Sequence, residues 1–270
     1  MHGCNAADNE HCRLVELRSI KFNTCLTSLE TNSNQGIAMR RITLTIAAIA
    51  AVAVSGQAHA GDGIAEIVTD LPLIVRDDFE SGHASRWLPS DPHAWQIEKH
   101  GDGFVYSLFQ QSQVETPVRS PFNRSLIKDV VVSDFVLDVR LQSTIKDYGH
   151  RDLCLFFGYQ DPAHMYYVHL GKKTDDHANQ IFIVNDAPRT KISTRTTPGT
   201  NWDDQWHHVR IVRDIQSGSI EVYFDDMEKP VMSATDVTFR WGQVGVGSFD
   251  DTGRFDDLSL FGKQVTRPEG

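Results

Sequence analysis

Strict alternation of apolar and polar residues runs through most of the chain beyond residue 72, and it limits the fold more than any other feature. In Phe135-Val136-Leu137-Asp138-Val139-Arg140-Leu141 every odd position is apolar while Asp138 and Arg140 point the other way, which describes a strand with one buried face. Ile220, Val222 and Phe224 alternate with Glu221 and Tyr223 in the same manner. No stretch of a dozen residues keeps a 3.6-residue apolar period without Gly, Pro or β-branched residues breaking it. Further strands are expected at Ile74–Phe79, Trp95–Glu98, Phe104–Phe109, Leu153–Tyr159, Met165–Leu170, Gln180–Val184, His207–Val212, Gln243–Phe249 and Arg254–Phe261. Turn chemistry at Gly101-Asp102-Gly103, Asp161-Pro162, Pro198-Gly199, Ser217-Gly218 and Thr252-Gly253 separates them. Many short strands without crossover helices predict an all-β, antiparallel two-sheet jelly-roll sandwich.

The first sixty residues read differently. Met39-Arg40-Arg41 precedes an apolar run from Ile42 to Val54, and Ala58-His59-Ala60 follows it, which is the pattern of a secretory signal peptide. A signal peptide is read only at an N-terminus, so residues 1–38 are expected to lie outside the native protein and 39–60 to be cleaved. The apolar run is shorter than the roughly 20 residues of a membrane span, and no second run follows. The expected organisation is a linker at 61–72, a sandwich at 73–262 and a tail at 263–270, in the periplasm or outside the cell. Cys4, Cys12 and Cys25 lie upstream of Met39, leaving Cys154 as the one thiol after cleavage. Within Leu153–Phe157 that thiol is expected to pack as a small buried hydrophobe.

Residues 61–270 carry 21 Lys and Arg against 32 Asp and Glu, a net charge of about −11, which argues against nucleic acid as a partner. Of those acids 25 are Asp, as suits a chain rich in turns and also a calcium binder.

Two stretches carry a family resemblance. Trp206-His207-His208-Val209-Arg210-Ile211-Val212-Arg213 followed by Gly218-Ser219-Ile220-Glu221-Val222-Tyr223-Phe224-Asp225-Asp226 resembles a hairpin of laminin-G-like and concanavalin A-like domains. Asp77-Asp78-Phe79-Glu80-Ser81-Gly82, paired with Gly245-Val246-Gly247-Ser248-Phe249 and Phe255-Asp256-Asp257-Leu258, is similar to the ends of bacterial jelly rolls, including 3-keto-disaccharide hydrolase domains and many carbohydrate-binding modules. The resemblance implies the fold and, for its function, a carbohydrate ligand. Closing such a sandwich brings the first and last strands together, and with them Asp78 and Glu80 toward Asp256 and Asp257. Asp78, Glu80 and Asp257 are candidate ligands for a structural calcium, the alternative being solvated turn acids.

The candidate binding site centres on Met165-Tyr166-Tyr167-Val168-His169-Leu170. Strand parity sends Tyr166, Val168 and Leu170 to the core, so Tyr167 and His169 share the opposite face and are expected to line an accessible groove. Lys172, Lys173, His177 and Asn179 follow in one loop, Asn185 and Arg189 in the next, and Tyr148, His150 and Arg151 offer a second rim. Rings and donors in that arrangement suit an oligo- or polysaccharide, including an acidic one that Lys172, Lys173 and Arg189 could neutralise. The Glu-x-Asp-x-Glu of retaining glucanases is absent, and Gln180-Ile181-Phe182 lacks the histidine of the alginate lyase Gln-Ile-His motif. Three readings therefore stand: a carbohydrate-binding or carbohydrate-processing domain, a polysaccharide lyase or glycoside hydrolase with a Tyr/His/Arg site, and an envelope protein-interaction domain.

Overall fold

A computed structural model describes residues 69–267. The signal peptide expected at 39–60, the segment before it and most of the expected linker lie outside the described residues. The first strands are β1 (Leu73–Asp77), β2 (Trp87–Pro89), β3 (Trp95–His100), β4 (Gly103–Leu108), β5 (Asn123–Ile127) and β6 (Val132–Ser143). The central ones are β7 (Asp152–Asp161), β8 (His164–Gly171), β9 (Gln180–Asn185), β10 (Thr190–Lys191) and β11 (Ser193–Thr196). The chain closes through β12 (His207–Arg213), β13 (Ser219–Phe224), β14 (Met232–Thr235), β15 (Gln243–Ser248) and β16 (Gly253–Gln264). A 3-10 turn at Pro92–Ala94 is the one helical element among the described residues.

Every strand expected from alternation is present, with ends displaced by no more than three residues. The strands that alternation does not announce are β2, β5, β10, β11 and β14. The clearest case is β5, Asn123-Arg124-Ser125-Leu126-Ile127, polar in sequence yet buried along its whole length. Its polar groups are satisfied internally: Ser125 shares a hydrogen bond of 2.8 Å with the Tyr106 hydroxyl, and the Arg124 guanidinium lies 5.0 Å from the Tyr159 ring centre.

The strands form two antiparallel sheets. A nine-stranded sheet runs β11-β14-β13-β12-β6-β16-β4-β3, with β1 beside β16, and a seven-stranded sheet runs β10-β9-β8-β7-β15-β5-β2. As closure of the sandwich requires, β1 pairs with β16, Asp77 lying opposite Leu258. The main core lies between the sheets. Leu137, Val139 and Leu141 of β6 and Val209 and Ile211 of β12 meet Leu153, Leu155 and Phe157 of β7 and Tyr166, Val168 and Leu170 of β8. His207 and His208 face opposite ways: His207 stacks on Phe224 in the interior, while His208 pairs with Asp138 on the far face.

The Asp77-Asp78-Phe79 motif is a locking device at one end of this core. Phe79 is fully buried at φ 54°, a left-handed conformation costly for a bulky residue. Asp77 holds it there: one carboxylate oxygen accepts from the Phe79 amide at 3.1 Å and the other from the Trp87 indole at 2.9 Å. Phe79 then stacks on Tyr106 at 5.4 Å, and Tyr106 on Trp95 at 4.6 Å. Asp78 only caps the exposed Glu80 amide. Asp77→Ala is expected to lower unfolding free energy in urea by about 1–3 kcal/mol, because it strands partly buried donors, and Asp78→Ala by no more than about 0.5 kcal/mol. Equal effects of the two substitutions would contradict this division of roles.

Candidate functional site

The seven-stranded sheet is apolar on both faces. Its outer face, away from the main core, carries Cys154 and Phe156 of β7, Met165 and Tyr167 of β8, Phe182 and Val184 of β9 and Leu126 of β5, all buried in a second cluster. Strand parity holds, since Tyr167 and His169 do lie opposite to Val168 and Leu170. The expected accessibility does not: Tyr167 is 0 % and His169 4 % exposed. Two elements cover them. The irregular segment 109–122 lays Val118 against the cluster, and Phe249, just past β15, stacks flat on His169 at 6.0 Å between ring centres. Arg189 closes the side, its guanidinium 4.1 Å from the Phe249 ring centre and 5.4 Å from that of Phe182, with its amide bonded to the Arg119 carbonyl.

Polar atoms without partners gather under this cover. The Tyr167 hydroxyl, both ring nitrogens of His169, Oδ1 of Asp152, Nε and Nη1 of Arg189 and the Ser112 hydroxyl are buried with no hydrogen-bond partner among the described residues. Stranding one such group costs about 1–3 kcal/mol, and native interiors hold few of them. Burial pushes Asp152 up to about 7 and His169 down to about 3, where the Arg189 charge adds to the desolvation. The Tyr167 hydroxyl and Cys154 thiol are pushed well up, again chiefly by burial. At neutral pH the imidazole is therefore neutral, and Tyr167 is a hydrogen-bond donor rather than a base.

No protein-family model matches the chain, and neither does any curated relative. Solved structures do. A variant of the GH43 protein BlXynB from Bacillus licheniformis superposes with a TM-score of 0.50 at 12% identity over 69% of this chain and 39% of that one. Domain 4 of AbnA, a GH43 extracellular arabinanase from Geobacillus stearothermophilus, gives 0.48 at 13% identity, covering 73% and 95% of the two chains. The carbohydrate-binding module CBM66 from Bacillus subtilis gives 0.46 at 17% identity, covering 65% and 95%. The fold is a concanavalin A-like jelly roll.

Within the jelly roll the predicted site residues separate into groups. Tyr167, His169 and Arg189 converge beneath the cover. Lys172, Lys173 and His177 lie past the end of β8, where Lys172 pairs with Asp147 and the His177 carbonyl accepts from Arg189 at 3.4 Å. Asn179 is not free to bind: it is fully buried at φ 54°, its amide nitrogen donates to Thr174, Thr196 and the Thr197 carbonyl, and its oxygen accepts from Thr200. Asn185 stands opposite His164, at the end of β9 remote from His169, which pairs with Gln180. On the second rim, Arg151 is buried and bonded to Ser143, Asp203 and Asp204, so it holds loops rather than a ligand. Sequence reasoning missed Asp152, Arg119 and Phe249, whereas Cys154 packs in the buried cluster as expected.

At the β1–β16 edge the three candidate calcium ligands each have a protein partner. Asp78, Glu80 and Asp257 reach the same region, but each is engaged elsewhere: Asp78 caps a turn, Glu80 accepts from the Phe104 amide at 3.0 Å, and Asp257 pairs with Arg140 at 3.3 Å. Among the described residues they are not one of the sets whose ligand atoms lie within 4.8 Å of one another. The perturbed acid at this edge is Asp256, raised to about 7 by burial and then by repulsion from Asp257, with Glu80 adding less. A carboxyl raised in the folded state binds its proton there more tightly than in the unfolded chain, so its contribution is full below the ordinary value of 3.8 and is lost as pH rises to about 7. In chelator-containing buffer, Asp256→Asn should melt higher than the native chain at pH 8 and level with it at pH 3.5. A constant difference at both pH values would show that Asp256 does not carry this linkage.

Proposed function

We propose that the chain is an exported carbohydrate-binding or carbohydrate-processing jelly roll that takes an oligo- or polysaccharide on the outer face of its seven-stranded sheet. One observation carries the reading: Tyr167, His169 and Arg189 bring unpartnered polar atoms together among aromatic rings. Tyr167 and Phe182 stack at 5.0 Å, and such flat rings match the C–H faces of a pyranose while the hydroxyl, imidazole and guanidinium match its oxygens. Arg189, with Arg119 nearby, favours a sugar bearing a carboxylate.

Access requires the cover to move. Segment 109–122 contains no strand and crosses the face as irregular backbone, the kind of element that opens at lower free energy than the sheet beneath it. A ligand held there replaces contacts that Val118 of the cover makes with the sheet and Arg119 makes with Phe249. The raised Tyr167 and the lowered His169 weigh against proton abstraction, so binding is favoured over a lyase reaction.

Titration calorimetry with neutral and uronate oligosaccharides tests the reading. Heat of binding is expected with at least one uronate oligomer and no unsaturated product, and Arg189→Gln should weaken that binding at least tenfold while Lys173→Gln leaves it within about twofold. A folded protein that binds no glycan at millimolar concentration, or binds as well without Arg189, would overturn it.

A further inference from the structure

We propose that Asp152, Cys154 and His169 form a site for one late first-row divalent cation, zinc foremost, on the floor of the covered face. The register between β7 and β8 sets Cys154 directly opposite His169, and Asp152 precedes Cys154 by two residues, so all three side chains leave the sheet on the same side. Cys154 Sγ lies 3.3 Å and His169 Nε2 3.5 Å from Asp152 Oδ2, and the three ligand atoms all fall within 4.8 Å of one another. A tetrahedral ion with bonds of about 2.0–2.3 Å spaces its ligand atoms about 3.3–3.6 Å apart, which the two distances to Asp152 Oδ2 match.

The independent observation is the state of His169. It is 4 % exposed, and its Nε2, 3.5 Å from the Asp152 carboxylate that also accepts from the Cys154 thiol, has no hydrogen-bond partner. A cation between them satisfies that nitrogen and replaces the thiol proton now shared with Asp152. Binding would release that proton to solvent, and the thiolate and carboxylate together balance the two positive charges. Sulfur and imidazole donors select zinc or its neighbours rather than calcium.

The outer shell is built as such a site needs. Asp152 Oδ2 accepts from the Phe249 amide at 3.0 Å and the Ser248 hydroxyl at 3.2 Å, and the Asp152 amide donates to Asp251 at 2.8 Å. Phe249 fixes the plane of the His169 ring by stacking on it. The neighbouring all-carboxylate set, Asp152 with Asp250 and Asp251, is the poorer candidate for such a cation: Asp250 is exposed, and the set supplies only oxygen donors. The cation would leave room in its shell for a water or a ligand oxygen, near the unpartnered Tyr167 hydroxyl. The site does not require the glycan reading, and its test is read without glycans.

The full chain, purified without a polyhistidine tag from zinc-supplemented cells, should carry about one zinc per chain by mass spectrometry. Refolded with cobalt, it should show a thiolate-to-cobalt charge-transfer absorption in the near ultraviolet, whereas calcium should not compete. Cys154→Ser, nearly isosteric, should abolish that absorption and weaken zinc retention at least tenfold, and His169→Gln should weaken it to a similar extent. Circular dichroism checks that each variant is folded. Less than a tenth of an equivalent of zinc after both growth and refolding, or undiminished zinc in folded Cys154→Ser, would overturn the proposal.

Discussion

A β-sheet that is apolar on both faces must be covered twice, and the rest of this molecule is arranged around that demand. The seven-stranded sheet gives one face to the main core, through Leu153, Leu155, Phe157, Tyr166, Val168 and Leu170, and the other to a second cluster built on Phe156, Tyr167 and Phe182. The nine-stranded sheet covers the first. Among the described residues no third sheet covers the second, and Val118 and Arg119 from segment 109–122, Phe249 beyond β15 and Arg189 beyond β9 do so.

That improvised cover explains why the functional candidates lie where they do. The main core contains the hydrophobic bulk and needs no ligand to be complete, whereas the second layer mixes large rings with a carboxyl, a thiol, an imidazole, a phenol and a guanidinium, several atoms of which have no partner. Apolar covering keeps water out and so raises the stakes of every polar group beneath it. Desolvation drives Asp152 up and His169 down, which leaves the imidazole neutral at neutral pH. Such an interior is suited to holding something specific, and the weakest part of its wall is also the part with least regular structure.

Much of the fold was legible because strand parity is local. The alternation in β6, β8, β12 and β13 fixed which residues face the core, and the paired ends of the chain fixed β1 beside β16. What parity cannot supply is whether the second face is wet. Parity alone puts Tyr167 and His169 on an open groove, because polar-capable side chains usually mark a solvated face, and only the course of segment 109–122 overrules that. Register escaped for a different reason. A two-residue turn at Pro162-Ala163 continued without interruption would set Phe156 opposite His169. The irregularity between Phe157 and Asp161, where Gly158 takes φ 57°, shifts the pairing by two residues and places Cys154 there instead. Asp152 and Cys154 therefore joined the site through a bulge, which leaves only a glycine as its trace in the sequence. Asn179 misled for a third reason, since its left-handed backbone and saturated amide make it a turn residue that looks like a ligand-binding one.

The central claim is that a tightly paired sheet lies beneath a separately opening cover. Amide hydrogen exchange followed residue by residue measures this most directly. Most amides of 109–122 should exchange at least a hundredfold faster than those of Leu155, Val168 and Ile181, which should exchange only with global unfolding. If 109–122 instead exchanges at the same slow rate as β7 and β8, the cover is part of the rigid core, and the account of an interior reached from that side is wrong.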